Sequence, residues 1–120
     1  MDKTRIVTII FITKGIFDCI QQDRDLRWFL QDSLPKHYAG NRGDLDMNDG
    51  REKEFFQANH DRLISVFKYK QNRIWIITET DLTETVILLS EEYAKSISLG
   101  VFRMDVRQGY TDIPGKATKQ

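Results

Sequence analysis

Hydrophobic residues change their period along this chain, and each change marks an element. Arg5 to Thr13 is an almost unbroken run of Ile, Val, Thr and Phe, residues that branch at Cβ or pack flat on a pleated surface, and it stops at Lys14-Gly15. The run predicts a buried strand. Ile16, Phe17 and Ile20 then recur at helical spacing, which predicts a short helix closing in the polar run Gln21 to Arg24. A clearer helix follows. Leu26, Phe29, Leu30 and Leu34 share one face, Asp23 or Asp25 is placed to cap its start, and Pro35 ends or kinks it.

Gly40 to Gly50 is crowded with Gly, Asn and Asp, which tolerate left-handed backbone or bond their own main chain, and reads as a loop. Arg51 to Asn59 is a helix with a thin apolar face of Phe55, Phe56 and Ala58. The period then shortens. Leu63 to Tyr69 is a strand, Lys70 to Arg73 a turn, and Ile74 to Thr78 a second strand with apolar residues on both faces. After a turn at Glu79 to Leu82, Thr83 to Leu89 makes a third, and Ser90 caps a short helix through Ala94 with Glu91 and Glu92 in its first turn. Beyond Lys95, Ile97, Leu99, Val101, Phe102, Met104 and Val106 add one more edge element, and Gly100 and Gly109 interrupt it.

These elements predict an α+β fold: a small antiparallel sheet, built from the N-terminal strand and a three-stranded meander, with two to three helices on one face. One domain over 1–111 and a flexible tail over 112–120 complete the expected organisation.

Composition narrows the class. At 120 residues, with 40% hydrophobic and 30% charged content, the chain has material for one core of its own and is neither a two-domain enzyme nor a disordered polymer. A single cysteine, Cys19, cannot form an internal disulfide, so a reducing cytoplasm is the expected compartment. It sits among Ile16, Phe17 and Ile20, where a lone thiol acts as a small hydrophobe. Ile6 to Ile12 falls well short of the roughly 20 apolar residues that span a bilayer, so no membrane role is expected.

Candidate chemistry is sparse. Asp44, Asp46, Asn48 and Asp49 invite a calcium loop, but counting from Asp44 puts Asp49 where the glycine belongs and Phe55 where the bidentate glutamate belongs. His37 and His60 lie beside helix ends, where imidazole bonds the last carbonyls, and no nucleophile motif or paired metal-ligand spacing accompanies them. Gly40 and Gly43 lack the spacing of a phosphate loop. No catalytic residue, metal or cofactor is therefore assigned. Trp75 points to the face opposite Ile74 and Ile76, which places it in the core, or at an interface if that face is open.

Charge is neutral in total, eighteen residues of each sign, yet uneven by segment. Residues 79–92 hold Glu79, Asp81, Glu84, Glu91 and Glu92 without a Lys or Arg, and form a candidate acidic, partner-binding face. A second candidate is a loop site of His37, Arg42, Asp44 and Asp46. A third is a set of phosphate contacts at Arg103, Arg107, Lys116 and Lys119, near Phe102 and Tyr110. Solvated turns and a soluble tail account for the same charges without any partner.

The strings Arg62-Leu-Ile-Ser-Val-Phe67, Ile74-Trp-Ile-Ile-Thr-Glu-Thr-Asp81 and Val86-Ile-Leu-Leu-Ser-Glu-Glu-Tyr93 resemble a small uncharacterised family of plasmid-related proteins from bacterial mobile elements. Thr13-Lys-Gly-Ile16, and His37 followed by Gly40-Asn-Arg-Gly-Asp44, resemble the same family's N-terminal half, so the likeness covers about residues 12–94. The chain departs from it at Asn41 and Arg42, where the family carries an acidic residue and an aromatic. The resemblance brings no established activity. It implies a setting on plasmids, integrative elements or phages, where small cytosolic proteins often blunt restriction enzymes or CRISPR effectors.

Two function classes follow. The first is a non-enzymatic binding protein of a mobile element, acting by protein–protein contact on a host nuclease or CRISPR effector as an anti-CRISPR or antirestriction factor. The alternative is a nucleic-acid-binding accessory factor of plasmid or phage maintenance. An enzyme would require His37, His60 and the Asp44–Asp49 loop to converge. A homodimer paired through the N-terminal strand's open edge is the expected mode of any self-association.

Overall fold

The computed structural model describes residues 9–93 and, as backbone, 101–104. Strand β1 (Ile9–Thr13) leads into helices α1 (Lys14–Gln22) and α2 (Asp25–Tyr38), and a loop separates these from α3 (Gly50–Ala58). Strands β2 (Leu63–Tyr69), β3 (Asn72–Thr78), β4 (Glu84–Leu89) and β5 (Val101–Met104) follow.

Local chemistry explains the boundaries. Thr13 ends β1 and caps α1 by accepting from the Ile16 amide. Asp49 does the same for α3, its Oδ1 accepting from Arg51 N at 2.9 Å and Glu52 N at 3.0 Å. Helix α2 runs three residues past Pro35, which therefore does not end it. Buried Leu34 and His37 hold that last turn on the sheet, and the stop comes at Gly40, whose φ of +92° suits glycine. Gly40 N donates to His37 O and Asn41 N to Lys36 O, closing the end as a Schellman motif.

The sheet order is β2-β3-β4-β1-β5. Strands β2, β3 and β4 are antiparallel neighbours, β5 is antiparallel to β1, and β1 lies parallel to β4 with Ile12 opposite Ile87. The class is α+β, but the sheet is mixed rather than antiparallel. The continuous apolar run of β1 is the pattern of a strand enclosed on both sides, as parallel strands usually are. Since β1 pairs on both sides, its edge is not open, and the self-pairing expected there has no strand edge to use.

A second correction concerns the helices. Alternation sends Ile74, Ile76, Ile87 and Leu89 to one face, where they meet Ile16, Ile20, Leu26, Leu30 and Leu34 of α1 and α2. It sends Ile64, Val66, Trp75 and Leu88 to the other, against Phe55 of α3. The helices therefore cover both faces. Trp75 is fully buried, with its indole stacked on Phe55 at 4.3 Å and against Tyr93 at 5.1 Å, which makes it core rather than interface.

The first hairpin is tighter than the sequence indicates: only Lys70 and Gln71 separate β2 from β3, and Lys70 takes the left-handed φ of 55° that such a turn needs. Thr83 falls in the second turn, and 90–93 form one 3-10 turn. Ala94, the segment 112–120 and the ends of the proposed domain lie outside the described residues.

Strand β2 would be an open edge but for the preceding loop. Gly43 makes a parallel bridge to Val66, with Val66 N donating to Arg42 O and Asp44 N to Val66 O. Gly43 has φ of +65°, and a Cβ there would strike the Val66 carbonyl and lie 2.7 Å from the Phe67 ring. Gly43→Ala is expected to lower the unfolding free energy by about 2 kcal/mol, through left-handed strain and displacement of the loop, as urea denaturation would measure. An unchanged midpoint would show that the bridge does not hold the loop.

Candidate functional site

The predicted site residues separate once the strands are in place. Glu79 and Asp81 lie in the β3–β4 turn and Glu84 opens β4, whereas Glu91 and Glu92 follow its far end. Five residue steps at about 3.3 Å each put the length of β4, some 17 Å, between the two groups, so they are not one acidic face. Glu92 is not on a surface at all. Its carboxylate is buried and turned inward, where it accepts from Thr13 Oγ1, Gly15 N and Leu89 N, tying the starts of α1 and of the 3-10 turn together. Glu91 stays exposed.

The loop site also comes apart. Arg42, Asp44 and Asp46 are exposed, but His37 is fully buried beneath the sheet. Its Nδ1 and Nε2 lie 2.7 Å from Ser65 Oγ and 2.7 Å from Thr78 Oγ1. Ser65 gives its only proton to Asn41 O, so His37 Nδ1 must donate to Ser65 and Nε2 must accept from Thr78. Thr85 then donates to Thr78 and Tyr38 to Thr85, which orients every proton of the chain in one direction. Burial pushes the His37 pKa down to about 4, so the ring is neutral at pH 7. The serine is a structural acceptor rather than a nucleophile, because its proton is committed to a backbone carbonyl.

Asp44 and Asp46 serve the backbone. Asp44 accepts from Lys68 N at 2.9 Å and Asp46 from Asn48 N at 2.9 Å, while Arg42 lies 4.7 Å over the Phe56 ring. The residue that organises the loop is Glu52, whose burial the sequence does not announce. It accepts from Arg73 Nε at 2.5 Å and Nη2 at 3.0 Å and from Asp46 N at 2.9 Å, while Arg73 also reaches Asp44 O. Among the described residues no cluster of three His, Cys, Asp or Glu is arranged to hold a metal ion. His60 is exposed at the end of α3, its Nδ1 3.3 Å from Gln57 O, and far along the chain from the His37 core. Cys19 has its thiol pKa raised by burial and then by Glu91 and Asp18, which disfavours the reactive thiolate. Arg103 lies in β5 opposite Phe11, while Arg107, Lys116 and Lys119 lie outside the described residues.

What remains gathered is the β3–β4 turn. Leu82 sits at its tip, 39% exposed with φ of 65°, a conformation L side chains rarely adopt. Leu82 N donates to Glu79 O, and Glu79 N to Glu84 O, so the turn is closed at both levels. Ile9, 41% exposed, hydrogen-bonds through its backbone to Thr83 O and stands opposite Glu84 in β1. Around these two apolar side chains lie, among the described residues, Glu79, Asp81, Glu84 and Asp61, together with Arg62, which donates to Glu79 Oε1 at 2.9 Å. Asp81 accepts from both Thr83 N and Thr83 Oγ1, bonds that lower its pKa and keep it charged. The sequence signals half of this, the acids; the exposed leucine is legible only from its backbone.

The fold and the turn together define a small α+β protein with an acidic, hydrogen-bonded hairpin tip. Comparison with protein-family models, curated proteins and solved structures matches the chain to none of them. Among the described residues, no helix is long and apolar enough to cross a membrane.

Proposed function

We propose that this protein is a non-enzymatic binding protein whose β3–β4 turn docks on a basic surface that carries an apolar pocket. The observation that carries the reading is Leu82, an exposed leucine held left-handed at a closed turn and rimmed by Asp81, Glu84 and Glu79. Strain of this kind costs roughly 1–3 kcal/mol and persists where the surroundings over-determine it, often at binding elements. An acidic rim speeds encounter with a cationic surface, and the apolar tip supplies the desolvated contact at its centre. The resemblance to plasmid-related proteins of mobile elements supports a cytoplasmic host nuclease or CRISPR effector as the partner, since such enzymes present basic nucleic-acid channels.

The test is interference with restriction or CRISPR targeting, read as transformation efficiency of a targeted plasmid in cells expressing the protein. Expression is expected to raise efficiency. Leu82→Asn is expected to abolish that effect while stabilising the fold by about 0.5–1 kcal/mol, because asparagine tolerates the left-handed region. Asp81→Lys with Glu84→Lys should abolish it as well. No effect of expression, or full effect in both variants, would reject the reading.

A further inference from the structure

Burial falls away across the α3 side of the sheet. Alternation puts Val66, Trp75 and Leu88 in one row against Phe55, and all three are buried. In the next row, one step towards the acidic turn, Ile64 is buried but Ile77, Val86 and Phe11 are only half-buried. The last row is open: Ile9 is exposed and stands opposite exposed Glu84. An apolar strip therefore crosses β3, β4 and β1 beyond the reach of α3, and it ends at the turn that carries Leu82. Among the described residues no cation pairs with Glu84.

Strand β5 runs antiparallel to β1 with Met104 opposite Ile10, so the chain leaves β5 at the open end of this strip, beside Ile9. Residues 105–120 follow. At about 3.3 Å per residue they reach on the order of 50 Å when extended, against roughly 14 Å from β5 across to β3 at strand spacings of about 4.8 Å. Past Asp105 the segment holds Val106, Tyr110 and Ile113 together with Arg107, Lys116 and Lys119, and Asp112 as an acid. Its composition thus mirrors the strip, apolar groups for the apolar row and cations for the acids at its end. Contiguous apolar surface beside charged residues marks an interaction site. We propose that residues 105–120 dock on this strip as an intramolecular cover, with Val106, Tyr110 and Ile113 over Ile77, Val86 and Phe11 and the cations against Asp81 and Glu84. Tethering gives the segment a local concentration in roughly the millimolar range, which any free partner has to overcome. The cover therefore holds back binding at the turn. That regulatory consequence rests on the docking role proposed above for Leu82 and its acids; the cover itself does not.

The experiment places a nitroxide on the full chain through Thr111→Cys, with Cys19→Ala removing the native thiol, and reads paramagnetic broadening of backbone amides by NMR. Strong broadening is expected at Ile9, Phe11 and Val86, and little in α2 on the other face, whose unchanged shifts also verify that each variant stays folded. High salt and Glu84→Lys should each weaken the effect, since part of the attraction is between exposed charges. Tyr110→Ser with Ile113→Ser, still in the full chain, should remove it. The same double variant is expected to increase interference with targeting at equal expression, because a site open for only a fraction of the time binds more weakly by that fraction. Absence of broadening at those three amides, or broadening that survives the double variant, would overturn the cover. Broadening in a mixture of spin-labelled and separately isotope-labelled protein would assign the strip to a second copy and overturn it as well. Broadening that behaves as expected, with interference unchanged, supports the cover and rejects the turn as the partner's site.

Discussion

Replacing Arg73 by alanine is expected to lower the unfolding free energy by about 3 kcal/mol, because it strands the Glu52 carboxylate in the protein interior. The Glu52 side chain is 2% exposed and Arg73 is 32% exposed, so the two partners are not equivalent. The arginine returns to water at little cost, whereas the glutamate keeps only the Asp46 amide as a donor. The loss should be larger than for any exposed pair here, such as Lys14 with Asp18. Urea denaturation of the single variants and of the double variant Glu52→Met, Arg73→Met gives the decisive comparison. The double variant should recover most of the loss, since an apolar pair of similar volume carries no uncompensated charge. Equal losses in the single and double variants would show that packing, not charge, is what Arg73 contributes. Faster amide exchange at Asp46 in Arg73→Ala would accompany the expected result, as the loop depends on the same pair.

The second large effect is on acid stability. His37 has a native pKa of about 4 against an ordinary 6.5. Above 6.5 the ring is neutral in both states and its hydrogen-bond chain is fully present. As pH falls from 6.5 towards 4, the unfolded chain takes up a proton that the native core refuses, so stability declines across that window. The full difference corresponds to about 3 kcal/mol. Asp23 and Asp81 have native values below 3.8, held down by Lys70 and by Thr83, so their contributions are lost only at lower pH. Among the described residues with a shifted pKa, His37 is the one whose contribution changes across the window from 6.5 to 4. A His37→Gln variant is expected to be less stable at pH 7 but to show a flat profile over the same range. A wild-type profile that is itself flat between those values would mean that the ring protonates in place.

Strand and helix positions were legible because the hydrophobic period is strong. The range Leu63 to Tyr69 matches β2, and the Leu26, Phe29, Leu30 and Leu34 stripe does face the core, with all but Phe29 fully buried. The placement of helices on both faces was also written in β3, whose four successive apolar residues from Ile74 to Ile77 need two covers. Parallel pairing of β1 was not, because its partner lies far along the chain and a run of isoleucines carries no register. The acidic group was readable in content but not in space: residues 79–92 straddle a whole strand, which separates their ends. Glu52 and His37 were invisible for a common reason. Charged and titratable residues are buried only when partners meet them, and those partners, Arg73, Ser65 and Thr78, come from other elements.

The position of β1 in the sheet order bears on how the chain is made. Ile12 pairs with Ile87, seventy-five residues later, so β1 leaves the ribosome long before the strand that will cover it exists. At about 5–20 residues per second the delay is on the order of 4–15 s. During that time an apolar β strand is without its lattice of partners, while β2, β3 and β4 pair almost as soon as they emerge, through hairpins of two to five residues. Chaperone dependence during synthesis should therefore map to the first strand and not to the hairpins, despite their greater length.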